Sequence, residues 1–425
     1  MEATIPLEST EMENKPWFFN AFAWVVWTAA LLVVNARAIL LSYRGTSFGT
    51  YNTAGWHWMR GEDVYSHWMG FVYSPTVAAF FAASTYVPFV VGNILWQLLN
   101  GVILLAGVRA VLKVNLFPGI DQRYSGIVYL LLVPLAIGNI DIGQANPLMA
   151  GLFLLAIAAV RVQRWNSAAI CVAAATLFKL YPISIGLLIC LIAPKRFGWR
   201  LLTAILVLLA VPFLSNHWSY VWNQYHEWIV TRTAENRQNW PVGKLPLDLW
   251  YILHWLCGLP IAPTAYRLIQ LGTAAVLALF CVMQTRKGWA IHRVLTGLLC
   301  LTSIWMTLCG PATESFTYVL LAGPITLALV QAFNTSQPNW LRAWIFIAFV
   351  LQLLAVGRMS FFPHFKPFWA LSMLPFSALV FLGYCVFWLL LDSLWISDEA
   401  DQAERSGEGV ITQNQELVLG QSLDS

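Results

Sequence analysis

Charge is what this sequence has least of. Only 10% of its 425 residues are Asp, Glu, Lys or Arg, where a soluble globular domain carries about 25%. That deficit excludes an ordinary water-soluble domain. Apolar residues make up 59% of the chain and the mean hydropathy is +0.66. The chain therefore reads as a polytopic membrane protein. The alternating pattern of a membrane barrel is missing. The fold class is accordingly all-α, because a helix satisfies its own N–H and C=O groups in hydrocarbon.

Other absences narrow the function. The net charge is +4 and no basic run is long enough to hold nucleic acid. Seven cysteines (171, 190, 257, 281, 300, 309 and 385) lie in or beside apolar runs, with no CxxC pair. They read as small core residues, neither disulfides nor metal ligands. No cofactor is expected; carboxylates can hold Mg²⁺ or Mn²⁺, but no spacing demands a metal. The start, MEATIPLESTEMENK, lacks the basic segment of a signal peptide. The first apolar run is therefore expected to stay as an anchor. There is no convincing tandem repeat and no inserted soluble domain.

What is present is apolar and aromatic. The 22 Trp fit belts at headgroup depth. Apolar runs fall at roughly 17–42, 71–90, 92–112, 124–140, 145–160, 167–192, 199–214, 263–284, 291–309, 315–333, 341–357 and 368–395. Most approach the roughly 20 residues that span a bilayer. The expectation is about eleven to thirteen transmembrane or re-entrant helices in one membrane domain, 17–395. A polar segment, 1–16, precedes it, and an acidic tail, 396–425, follows, expected to be disordered and cytoplasmic. The run 167–192 holds Lys179 and Pro182 at its middle. A lysine is costly in hydrocarbon and a proline removes a helix hydrogen bond. The run reads as two short helices meeting near Lys179; one kinked helix is the alternative.

Basic residues mark the cytoplasmic side. Arg109, Lys113 and Arg123 form one cluster, and Arg161 with Arg164 another. Lys195, Arg196 and Arg200 form a third; Arg286, Lys287 and Arg293 a fourth. Placing all four inside puts 138–146, the Lys179 bend, 215–245, 310–315 and 358–367 outside. The same alternation puts loop 43–70 inside if both 71–90 and 92–112 cross. A short or re-entrant run would move it outside.

The scarce polar residues collect on that outer face. Loop 43–70 carries Arg44, His57, Arg60, Glu62, Asp63 and His67 among aromatics. Asp141, Gln144 and Asn146 follow, then Lys179. In 215–245, Trp218, Trp222, Tyr225 and Trp228 recur at helical spacing, as in a helix lying in the interface. Arg232, Arg237 and Lys244 come next, then Glu314 and Tyr318. Each has a structural alternative: belt anchoring for the aromatics, a turn cap for Asp63, a buried pair for Lys179. Helix-to-helix bonds account for Gln144 and Asn146, and a helix start for Glu314. Together they point to a polar cavity for an anionic, sugar-like ligand.

Ser47 to Tyr51, Gly61 to Tyr65, Tyr73 to Pro75, Gly143 to Asn146 and Phe178 to Pro182 follow one another in an order that resembles glycosyltransferase family 87, a group of membrane glycosyltransferases. Ser47-Phe48-Gly49-Thr50-Tyr51 with Ala54, then Gly61 to Tyr65, then Tyr73-Ser74-Pro75 are similar to its early motifs. Gly143-Gln144-Ala145-Asn146 resembles its G-Q-x-N, and Phe178-Lys179-Leu180-Tyr181-Pro182 its K-x-x-P. Asn236 to Asp248, and Gly310-Pro311 through Tyr318, resemble its later loops. The resemblance runs over residues 17 to 330, roughly. It implies the GT-C architecture. It also implies a polyprenyl-phosphate sugar donor, often mannose, a lipid or glycan acceptor, and transfer at the outer face of a bacterial inner (plasma) membrane. In the family a first-loop Asp serves as base; here that position is Ser47, and the His before the late Tyr is Thr317.

Sugar transfer from such a donor needs a carboxylate on the acceptor hydroxyl. It needs cations on the departing phosphate and aromatics and amides on the sugar. The candidate bases are Asp63 and Asp141. Candidate substrate contacts are Tyr51, Tyr65, Tyr73, Gln144, Asn146, Lys179, Arg232, Asn236, Arg237, Glu314 and Tyr318. A transporter or flippase of a polar or lipid-linked substrate, and a noncatalytic glycosyltransferase-like protein, stand as alternatives.

Overall fold

The computed structural model describes residues 15–41, 46–65, 70–234, 246–310, 313–335, 337–361, 367–392 and 394–395. The described residues are helical, with no strand among them. The chain begins with α1 (Lys15–Leu41), α2 (Ser47–Arg60), α3 (Pro75–Ala82) and α4 (Phe89–Lys113). Next come α5 (Ser125–Asp141), α6 (Asn146–Arg161), α7 (Trp165–Phe178), α8 (Ile183–Ile192) and α9 (Trp199–Ala210). Then follow α10 (Trp218–Ala234), the single turn α11 (Leu249–Tyr251), α12 (Pro263–Arg286) and α13 (Ile291–Leu308). A 3₁₀ stretch, Ser315–Leu321, leads into α14 (Ala322–Asn334), and α15 (Asn339–Phe361) and α16 (Pro367–Leu390) complete the bundle. Among the described residues nine helical segments are long and apolar enough to cross a membrane. Three shorter apolar helices, α6, α7 and α8, join them. The protein is an all-α, multi-pass integral membrane protein.

Burial sorts the helices. The apolar windows of Ile291–Leu308 and Ser315–Asn334 are 89% buried, whereas that of Pro263–Arg286 is 11% buried. The first two form the centre and α12 lies at the lipid-facing rim. Helix α4 crosses α6 at close range. A Cβ added at Gly151 would lie 2.4 Å from the Ile103 carbonyl oxygen. Only a glycine lets the two backbones approach so closely, the device by which membrane helices gain packing energy without a hydrophobic drive.

Three sequence expectations are sharpened. Run 167–192 is indeed two helices, α7 and α8, meeting at Lys179. Run 71–90 is not a span. It holds the eight-residue α3 and a 3₁₀ turn, Ala83–Tyr86. The hydroxyls of Ser84 and Thr85 donate to Phe81 O and Ala82 O at 2.7 Å each, closing the helix before Pro88. Stretch 43–70, read as a loop, contains α2. Its buried residues Phe48, Tyr51, Gly55 and Trp58 recur every three to four positions, a helical stripe hidden among polar residues. Residues 1–14 and 396–425 lie outside the described residues.

The basic clusters share one end. Arg161, Lys195 and Arg196 line one cavity with Thr285 and Ile291. The turn 141–146 and the Lys179 bend occupy the opposite ends of α6 and α7.

Candidate functional site

The floor of the site is the turn joining α5 to α6. Gly143 has φ +70°, and a Cβ there would press on Phe48 at 3.2 Å. Glycine meets both the left-handed backbone and the close approach. The first turn of α2 lies directly on it: Ser47 N donates to Ile142 O at 2.8 Å. From the other side α4 braces the turn. Trp96 Nε1 donates to Gly143 O at 2.8 Å and Gln97 Nε2 to Asp141 O at 2.9 Å. Asn100 Oδ1 accepts from Leu148 N at 3.0 Å. Asn93, Gln97 and Asn100 are all buried. Sequence reading missed this row, though amides at i, i+4 and i+7 within an apolar run mark one polar helix face.

The wall is aromatic. The Tyr51 hydroxyl donates to that of Tyr73 at 3.0 Å and accepts from the Ala145 backbone N–H. Burial pushes the Tyr51 hydroxyl well above its ordinary pKa, so it stays an O–H donor. Its ring stacks on Phe81 at 4.8 Å, and Trp96 stacks on Phe178 at 5.8 Å. The Tyr65 hydroxyl donates to Tyr73 O at 2.7 Å. Ser74 Oγ donates to Leu177 O at 2.8 Å, which fixes Tyr73 beside the last turn of α7. Lys179 follows that turn, its Nζ 5.8 Å from the Tyr181 ring centroid. Glu314 acts electrostatically on both Tyr51 and Tyr181, so it closes the same cluster. It starts the 3₁₀ stretch without a side-chain cap bond. Thr317 is buried beside the Tyr181 hydroxyl.

The amides of this floor are buried and short of partners. Gln144 Oε1 and both polar atoms of Asn146 make no hydrogen bond among the described residues. Such groups cost about 1–3 kcal/mol each when left unsatisfied. Hydroxyl-rich ligands or ordered water meet that requirement, so the donor and acceptor set fits a sugar.

The two candidate acids lie in different settings. Asp141 is held by Arg37 of α1, Nη1 to Oδ2 at 3.0 Å, a partner the sequence reading did not name. Asp63 Oδ1 accepts from Tyr65 N at 3.0 Å, the geometry of a turn-forming aspartate. The two are joined through one chain of bonds: Asp63 to Tyr65, Tyr65 to Tyr73, Tyr73 to Tyr51, and Tyr51 to the turn after Asp141.

Helix α10 clamps the strap that carries Asp63. Tyr220 donates to Glu62 O at 2.8 Å, Gln224 Oε1 accepts from Val64 N at 3.0 Å, and Trp228 donates to Val72 O at 3.2 Å. These positions, four residues apart, form its inner face. Trp218 and Trp222, 66% and 62% exposed, form the outer one. The single aromatic face expected from the spacing is thus divided. Arg232 lies one turn beyond Trp228. Asn236 and Arg237, with Arg44, His67, Lys244 and Pro311, lie outside the described residues.

Tyr318 stands apart. It is fully buried, its hydroxyl bonded to Leu247 O and its carbonyl to Gln352 Nε2. The neighbouring Asp248, not singled out in the sequence, is 3% exposed and caps α11 through Tyr251 N at 3.2 Å. Burial pushes its carboxyl up to about 7, its hydrogen bonds offsetting part of that. Among the described residues no three His, Cys, Asp or Glu side chains converge as a metal site.

The family model of glycosyltransferase family 87 matches residues 71–311, more than half of the chain. No curated protein matches it. The matched region holds Tyr73, the Gly143–Asn146 turn, Lys179 and Arg232. Tyr51, Asp63 and Tyr65 precede it, and Glu314 and Tyr318 follow it, yet bonds and charge tie each of them to the matched region. This membrane protein, with its sugar-compatible polar floor, belongs to glycosyltransferase family 87.

Proposed function

We propose that the protein moves a hexose, mannose first among the candidates, from a polyprenyl-phosphate sugar to a lipid or glycan acceptor. The reaction takes place at the end of the bundle opposite the basic clusters, the outer face of a bacterial plasma membrane, on a GT-C architecture. One observation carries the reading. Tyr51, Tyr73, the orphan amides of Gln144 and Asn146, Lys179 and Glu314 converge on one polar floor in an otherwise apolar chain.

In this reading a carboxylate takes the acceptor proton as the acceptor oxygen bonds to sugar C1. The C1–O bond to phosphate breaks, and its electron pair leaves on the phosphate oxygen. Lys179 and Arg232 receive that charge. Gln144 and Asn146 bind sugar hydroxyls, and Tyr51, Tyr65 and Tyr73 shape the pocket. Asp63 and Asp141 remain the competing bases, with Glu314 a further acid at the same floor. Arg37 orients Asp141 through an ion pair at 3.0 Å, whereas Asp63 is set by the turn in which its Oδ1 accepts from Tyr65 N.

The test is transfer of labelled mannose from polyprenyl-phosphate mannose in membranes. Wild type is compared with Asp63→Asn and Asp141→Asn. Loss in one variant names the base. Full activity in both removes the two assignments, and no transfer from any sugar donor favours a noncatalytic protein or a transporter.

A further inference from the structure

The basic end holds a cavity of about 580 Å³ between α6, α8, α12 and α13. Its polar rim is Arg161, Lys195 and Arg196, and its walls include Ile189, Ile192 and Leu295. No carboxylate lines it. Helix α6 runs 16 residues from Asn146 to Arg161; at about 1.5 Å per residue the cavity lies roughly 24 Å from the sugar-compatible floor. It is a separate place in the molecule.

Three cations near this end are already engaged. Arg293 donates to Asp392 Oδ1 at 2.6 Å and to Leu389 O, and lies 3.4 Å from the Trp289 ring centroid. Arg123 pairs with Asp121 at 2.9 Å. Arg200 donates to Asn166 Oδ1 at 2.8 Å and to Arg196 O. Among the described residues, Arg161, Lys195 and Arg196 have no carboxylate partner, and Arg161 Nε is buried without an acceptor. A buried guanidinium N–H that lacks an acceptor is costly. An anion seated in the cavity would remove that cost.

The surroundings distinguish the kind of anion. Leu187 and Leu191 of α8 are 55% and 49% exposed, and Trp199 of α9 is 57% exposed. In a multi-pass protein this apolar surface faces acyl chains, and the cavity's own walls, Val160, Ile189, Ile192, Ile291 and Leu295, are apolar too. A ligand with a phosphate at one end and hydrocarbon at the other meets both surfaces. Basic pockets between membrane helices hold acidic lipid headgroups in this way. We propose that this cavity binds the phosphate of an anionic phospholipid, with Arg161, Lys195 and Arg196 on the headgroup and the acyl chain along Ile189 and Ile192.

The test uses the full-length protein in neutral detergent. Thermal unfolding is followed while short-chain phosphatidylglycerol, phosphatidylcholine or inorganic phosphate is titrated. Phosphatidylglycerol is expected to raise Tm saturably, and the other two are not. Lys195→Gln with Arg196→Gln should weaken phosphatidylglycerol about thirtyfold, each basic residue near the surface contributing about 1 kcal/mol and each 1.4 kcal/mol being about tenfold. Both side chains are exposed, so the variant is expected to fold. Arg161→Gln should weaken binding further where it folds. Lys113→Gln with Arg123→Gln removes two charges of the same end outside the cavity and should leave affinity unchanged. Equal affinity in wild type and the cavity variant overturns the proposal. So does an equal loss in the control variant, which would mean a diffuse surface field. Inorganic phosphate matching phosphatidylglycerol would make the ligand a free anion and overturn the lipid assignment.

Discussion

Two hydroxyls 3.0 Å apart, those of Tyr51 and Tyr73, join the early motifs to the Gly143–Asn146 turn. Tyr51→Phe would strip the Ala145 N–H of its acceptor and Tyr73 of a donor, at a cost of about 1–3 kcal/mol. We expect a lower Tm in detergent and a larger fall in sugar transfer per folded molecule. Tyr318→Phe removes a bond of similar burial, to Leu247 O, which is no part of the orphan-amide floor. It should lower Tm while transfer per folded molecule is kept; comparing the two by unfolding and by assay separates site from scaffold. Asp248 gives a pH signature. Its carboxyl, pushed up to about 7 by burial, binds its proton more tightly in the folded chain than in the unfolded one. Folding stability is then greatest below the ordinary carboxylate range and falls as pH rises towards about 7. Tm measured across that window should decline in wild type and flatten in Asp248→Asn.

At the scale of elements, α10 is the part whose role differs most from its pattern. Its exposed face, Trp218 and Trp222, was legible as interfacial spacing; its working face, Tyr220, Gln224 and Trp228, was not. Each inner residue bonds a backbone group of the 62–72 strap, and no sequence period reveals a backbone partner over 150 residues away. Gln224→Leu with Tyr220→Phe should free the strap that carries Asp63. Expected are faster proteolysis between α2 and α3, reduced transfer and a small change in Tm. Unchanged cleavage would remove the clamp. The amides of α4 teach the same lesson. Their spacing could be read from the sequence, but that they hold the turn after Asp141 depended on how α4 crosses α6.

For the whole molecule the question is sidedness. Two basic segments meet at one cavity, and Asp63, Lys179 and Glu314 belong to the other end. Reporter cysteines at Glu62→Cys and Lys195→Cys, in a chain with Cys257→Ser, should react with an impermeant thiol reagent from opposite faces of a vesicle. Labelling of both from one face would reverse the topology and with it the outer-face reading.

By itself the sequence determined the solvent. With 10% charge and a mean hydropathy of +0.66, the backbone had to satisfy itself in helices, and the polar residues that remained had to be few and clustered. Motif order along the chain was likewise a local property, available without coordinates. Which polar groups meet was not local. Arg37 reaches Asp141 across 104 positions, and Tyr51 reaches Ala145 across 94. Those pairings follow from helix crossings set by side-chain shape, such as the Gly151 contact, and that information exists only once the bundle has packed.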